Sequence, residues 1–199
     1  MEFLWGLLSA PFKLFADHLF KQYANRPNLK IRMVHDSSLS GPLRPNEESP
    51  RDEKGHYIIH YGDDLPWTYE ITWSYRLEIV NKSSEIAYDM ELYIPDKFRD
   101  ITFTGDLNTP LREAQSIDIV VKYVKRVESS YKKRAAEQEK FPSEIKNGFK
   151  VVLRYSSQYD KVFYTKFELK NGEQVNTRIR RIPKGFSRVQ VYPTPFAVV

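Results

Sequence analysis

Cysteine is absent from these 199 residues, which excludes a disulfide framework, a Cys-ligated zinc site and thiol catalysis. Glycine is scarce, 8 in all. Neither a Gly-x-Gly-x-x-Gly fingerprint nor a Walker A loop occurs, so no glycine loop is present to cradle phosphate. No apolar stretch approaches the ~20 nearly uncharged residues of a membrane span. Acidic residues stop at Glu173. What is present, 41% apolar, 14% aromatic and 29% charged residues, excludes wholesale disorder, a collagen-like repeat and a polytopic membrane protein. The length suffices to bury a core, as one domain with an appendage or as two small ones.

The formal charge is +5, from 31 basic against 26 acidic residues. Five of the basic residues, Arg178, Arg180, Arg181, Lys184 and Arg188, follow the last acidic one. Without them the count is 26 against 26, so the excess is local to the C-terminal segment 176–199. Such a run is either a solvated face or an anion-binding one. Its arginines alternate with Ile179, Ile182 and Phe186, a mixture suited to phosphate contacts with base stacking, or to anionic lipid headgroups. No RNP-type or helix-turn-helix pattern accompanies them. The tail from Val189 to Val199 is apolar and extended, able to pair with a sheet edge or a partner, or to fold back on the domain.

At the other end, residues 1–26 form an amphipathic segment. At ~100° per residue, Phe3, Leu4, Leu7, Leu8, Leu14, Phe15 and Leu19 share a broad helical face that Trp5 and Phe12 widen. Lys13, Asp17 and Lys21 lie opposite, and Pro11 kinks the helix or opens a second one. Glu2 replaces the basic start of a signal peptide. Two readings follow: an interfacial helix in the plane of a membrane, or a helix docked on protein.

The domain itself is expected over 27–175. Residues 29–34 alternate as an edge strand, and 36–56 read as a long polar loop. From Trp67 to Ile79 every odd residue is aromatic or aliphatic and every even one polar, a half-buried strand of period two. Ile86 to Ile94 alternates likewise before Pro95, and shorter strands are expected over 100–104, 117–123, 149–155 and 163–169. One insertion, 127–140, is Lys-, Glu- and Ala-rich with Glu128 and Lys132 at i,i+4, and predicts a short exposed helix.

Alternating strands joined by turns specify a mainly β fold, an antiparallel β-sandwich. The phrase Tyr75-Arg76-Leu77-Glu78-Ile79-Val80-Asn81-Lys82-Ser83-Ser84, followed by Ala87-Tyr88-Asp89-Met90-Glu91-Leu92, resembles the opening of immunoglobulin-like modules of bacterial membrane-associated and surface proteins. The resemblance spans about half the chain, without the paired cysteines of antibody domains. It implies a scaffold for binding.

Catalytic and metal chemistry find little to stand on. No Gly-x-Ser-x-Gly elbow is present. His56, His60, Asp63 and Asp64 are the one cluster of ligand types, in a polar segment where such residues also occur by chance. Asn81-Lys82-Ser83 matches a glycosylation sequon and also a plain turn. The expectation is therefore a non-enzymatic binding or adaptor module without metal, cofactor or small-molecule substrate, cytoplasmic or peripheral at a membrane. Its helix residues Phe3, Leu4, Trp5, Leu7, Leu8, Phe12, Phe15 and Leu19 would meet a membrane or a protein. Its five C-terminal cations would meet an anion. The alternatives are a nucleic-acid-binding protein and a soluble subunit of a larger complex.

Overall fold

The computed structural model describes residues 26–45, 51–56, 67–138 and 142–193. The expected N-terminal helix, with all its proposed contact residues, lies outside them. Among the described residues, ten strands form two five-stranded sheets. Sheet I has the order β1 (Leu29–Pro45), β2 (Trp67–Asn81), β5 (Ser116–Ser129), β4 (Thr102–Thr104) and β10 (Val191–Tyr192). Sheet II has the order β8 (Glu173–Ile179), β7 (Val162–Lys170), β6 (Lys150–Ser156), β3 (Tyr88–Pro95) and β9 (Phe186–Arg188). Every pairing is antiparallel except β4 with β10.

The alternation of β2 does what period two requires: each odd residue from Tyr69 to Asn81 is buried and each even one half-exposed. Trp73 and Leu77 from sheet I meet Met90 and Leu153 from sheet II in one hydrophobic core. The chain is thus mainly β, with its apolar faces turned on each other.

Three expectations are corrected. The stretch from Asp36 to Pro45 is strand and not loop. A bulge at Asp36 rephases β1, so Ser38 and Ser40 stand opposite the inward Trp73 and Ile71 of β2. Polar side chains on the inner face hid the strand, because period-two counting sees only apolar alternation. The inserted helix starts later than 127. β5 stays paired with β2 up to Ser129 opposite Trp67, so Val127 and Glu128 belong to the sheet and the Glu128–Lys132 spacing is not helical. The helix α1 is Tyr131–Gln138, and Pro142 precedes a second short helix, α2 (Ser143–Lys146). Finally, the alternation of 86–94 breaks at Asp89, whose φ of 48° accompanies a register shift between Tyr88 and Glu91. Aspartate tolerates that left-handed conformation better than most residues, and its carboxylate accepts from Ser156 Oγ at 2.8 Å.

The turn after β2 is held by Asn81, fully buried. Its Nδ2 donates to the carbonyls of Glu85 (2.6 Å) and Leu111 (2.9 Å), and its Oδ1 accepts from Ser83 N and Oγ. The sequon is a turn, since the nitrogen a glycan needs is already engaged.

On one flank, side-chain amides cap the outer edge of β1. Asn176 of β8 accepts from Ile31 N and donates to Ile31 O, each at 2.9 Å. Gln174 does the same for Met33, at 2.9 and 2.7 Å. Farther along, Gln138 of α1 donates to Ser38 O at 2.7 Å and accepts from Ser40 Oγ. An edge strand otherwise presents a row of unpaired backbone groups, and these three amides cover much of that row on β1.

Candidate anion-binding face

The β8-to-β9 connection, residues 180–185, joins opposite edges of sheet II. Four strand spacings are about 19 Å, and seven extended steps reach about 24 Å. That is too little to go round an end of the sheet, so the connection crosses its outer face as a strap. Burial agrees. Ile182 and Pro183 are half-buried, and Val152, outward by register, is fully buried. The strap leaves Arg180, Arg181 and Lys184 exposed.

Beneath it the outer face carries Lys150 and Arg154 of β6, Lys166 and Lys170 of β7, and Arg188 of β9. Counting strap and strands, eight basic side chains face four carboxylates: Asp89, Glu91, Glu168 and Glu173. Two of the four are already clasped. Glu91 meets Arg154 at 3.3 Å and Arg188 at 3.1 Å, and accepts from the Tyr93 hydroxyl at 2.9 Å. Burial and the Glu91 carboxylate push the Tyr93 phenol above its ordinary range. Glu168 meets Lys150 and Lys166, both at 2.9 Å, and those hydrogen bonds hold its carboxyl below its usual value. The outer face of sheet I is balanced in contrast. Among its described side chains, Lys30, Arg32, Arg76, Lys122 and Arg126 face Asp36, Glu70, Glu78, Asp118 and Glu128. The charge excess is a property of one face.

The five sequence-predicted cations are not equivalent. Arg180, Arg181 and Lys184 ride on the strap with no ion pair among the described residues. Arg178 lies in β8 opposite Thr165, and Arg188 is committed to Glu91. Counting by segment missed Arg26. Burial pushes the Tyr155 phenol up, against the Thr165 hydrogen bond and the positive charges of Arg178 and Arg26. Arg26 sits in the formally neutral part of the sequence.

His56 pairs with Asp52 at 3.3 Å on an exposed loop, while His60, Asp63 and Asp64 lie outside the described residues. Among the described residues no group of three His, Asp or Glu side chains is placed to hold a metal ion, and no helix is long and apolar enough to cross a membrane. A cleft of about 750 Å³ opens where the chain passes from β9 to β10, lined in part by Glu91, Asp106, Asn108 and Arg188. Its polar groups do not converge. Glu91 and Arg188 bind each other, and Asp106 accepts from Asn108 N and Thr109 Oγ.

Comparison with known proteins adds little. No family model matches the chain, and no curated protein matches it. A solved structure, the X-ray structure of Northeast Structural Genomics Consortium target SoR45, is 10% identical over 87% of this chain and 91% of that one, with a TM-score of 0.16. A likeness so slight carries no argument.

Proposed function

We propose that the chain is a non-enzymatic binding module, an immunoglobulin-like β-sandwich whose sheet II face holds an anionic partner while residues 1–26 provide a second attachment. The observation that carries this reading is the strap. It leaves Arg180, Arg181 and Lys184 exposed on a face where cations outnumber carboxylates and two of the four carboxylates, Glu91 and Glu168, are already clasped. Arginine suits such a role because its planar fork meets phosphate, sulfate or carboxylate in two parallel hydrogen bonds. Fold class supports a scaffold and no particular ligand.

Nucleic acid is the less favoured anion. Base stacking on the strap would fall to Phe186, and that residue is half-buried in β9 opposite Pro95 instead of standing free as a platform.

Retention of the full chain on heparin, used as a polyanion probe, tests the reading. Retention at low salt is expected, with elution moving to lower salt in Arg180→Gln/Arg181→Gln/Lys184→Gln, since each lost cation releases fewer counterions. Passage of the unaltered protein through the resin at low salt would refute an anion-binding face.

A further inference from the structure

The inward row of β1 runs Leu29, Ile31, Met33 and His35, and of these four only the first three are buried. His35 stands opposite the buried Tyr75 of β2, with the two rings 5.5 Å apart, yet it is exposed. An exposed polar residue at an inward position marks a place where the space between the sheets opens. The register gives the reason. Gln174 is clamped on Met33, and one pair beyond it, Lys170 with Glu173, β7 and β8 end in the Asn171-Gly172 turn. That turn is tight because both of its residues take positive φ, 52° and 84°. β1 runs on past this level to Pro45.

Between β1, the hairpin tip and α2 lies a cavity of about 720 Å³, within the size range of small-molecule sites. Met33 and Leu169, both nearly buried, form its apolar floor, and His35 and Lys146 stand exposed at its rim. Gln174 also lines it but is spent on the Met33 backbone. Lys146 reaches across to the hairpin, since a Cβ on Gly172 would lie 3.9 Å from its Cε. No carboxylate is among the described lining residues. Glu144, two residues before Lys146, is held by Lys125 at 2.7 Å, and Asp36, next to His35, meets Arg76 at 3.5 Å. Lys146 has no ion pair among the described residues.

We propose that this cavity is a binding site for a small aliphatic carboxylate, its chain on Met33 and Leu169 and its head on Lys146. The site is separate from the sheet II face, whose several exposed cations suit a polyanion. A single cation above an apolar floor selects a single negative charge joined to an apolar body. Burial of the chain supplies most of the affinity. The charge pair, formed at an exposed rim, contributes less to affinity and more to the choice of ligand. A neutral chain leaves Lys146 without a counterion, and a cationic one is repelled by it.

The test is titration of the full chain with octanoate and with octanol, read by the methionine methyl resonances in NMR. Met33 lines this cavity, while Met90 lines the cleft between β9 and β10 and serves as an internal control. Octanoate is expected to shift the Met33 methyl saturably and to leave the Met90 methyl in place. Octanol should bind about fivefold more weakly, the worth of one exposed charge pair. Lys146→Gln, at an exposed position, lowers octanoate affinity by a similar factor and leaves octanol binding unchanged, which also shows that the cavity is intact. Arg180→Gln/Arg181→Gln/Lys184→Gln, which moves heparin elution, leaves the Met33 titration as in the parent. A Met33 methyl that ignores octanoate, or that responds equally to octanol, overturns the proposal. So does a Lys146→Gln variant that binds octanoate as well as the parent. Unaltered protein that passes through heparin yet titrates at Met33 keeps this site and loses the sheet II face.

Discussion

Asn176 and Ile31 are 145 positions apart, yet one carboxamide satisfies both the N–H and the C=O of one backbone residue, each at 2.9 Å. Gln174 repeats the arrangement two residues along, on Met33. A side-chain amide presents a donor and an acceptor with nearly the geometry of a peptide group, so this pair mimics a short stretch of ladder where the two sheets lack one.

Replacing both amides, Asn176→Ala/Gln174→Ala, should cost about 1–2 kcal/mol per site, the loss of hydrogen bonds to partly buried backbone. The bared edge of β1 should also favour self-association. Urea unfolding checks the first effect and size-exclusion chromatography over a concentration series the second. An unchanged midpoint would mean water replaces the amides without loss.

Asn81→Asp removes both Nδ2 donations and turns a carboxylate toward the Glu85 and Leu111 carbonyls in a fully buried site. We expect a loss of about 3 kcal/mol or more, with the midpoint falling accordingly. In a glycosylating host the unaltered folded protein should keep its unmodified mass, because Asn81 Nδ2 is engaged.

Gly105 sits where β4 ends, and its N–H donates to Tyr192 O at 2.8 Å. A Cβ there would fall 2.5 Å from Ile119 Cδ1 and 2.9 Å from Asp118 O. The carbonyl belongs to the β5 backbone and yields poorly, so Gly105→Ala should cost about 1–3 kcal/mol of overpacking. Faster amide exchange at β10 should accompany the lower stability.

The Glu168 carboxyl is held below its ordinary value of 4.5 by Lys166 and Lys150. A depressed folded-state value means that the carboxylate stabilises the fold at pH above the unfolded value. That contribution disappears as pH falls through the lower, folded one. Stability should therefore decline below about pH 4.5, and Glu168→Gln should flatten part of that decline while changing little in acid beyond it. Urea midpoints measured across pH 2–7 for both proteins decide it, and parallel curves would deny Glu168 a role.

Much of the fold was legible because burial on one side of a strand imposes period two on the chain itself. Trp67 to Ile79 announced β2, and Trp73, Leu77, Met90 and Leu153 met in the core as the alternation requires. Elements lacking apolar alternation escaped. The second half of β1 is Ser-, Gly- and Pro-rich and is a strand because β2 offers it a ladder. Glu173–Ile179 is exposed along most of its length and carries no hydrophobic period, so β8 is recognisable only by its partner β7.

The candidate site divides the same way. Composition alone located five cations after Glu173 and an apolar-rich segment at the start, since charge and hydropathy are local properties of residues. Tertiary structure alone decided which cations are spent and which are offered. Glu91 captures Arg188, and the strap leaves Arg180, Arg181 and Lys184 exposed. Charge pairing depends on distance in space, and the pairing of β3 with β9 sets that distance between Glu91 and Arg188, which the sequence keeps far apart.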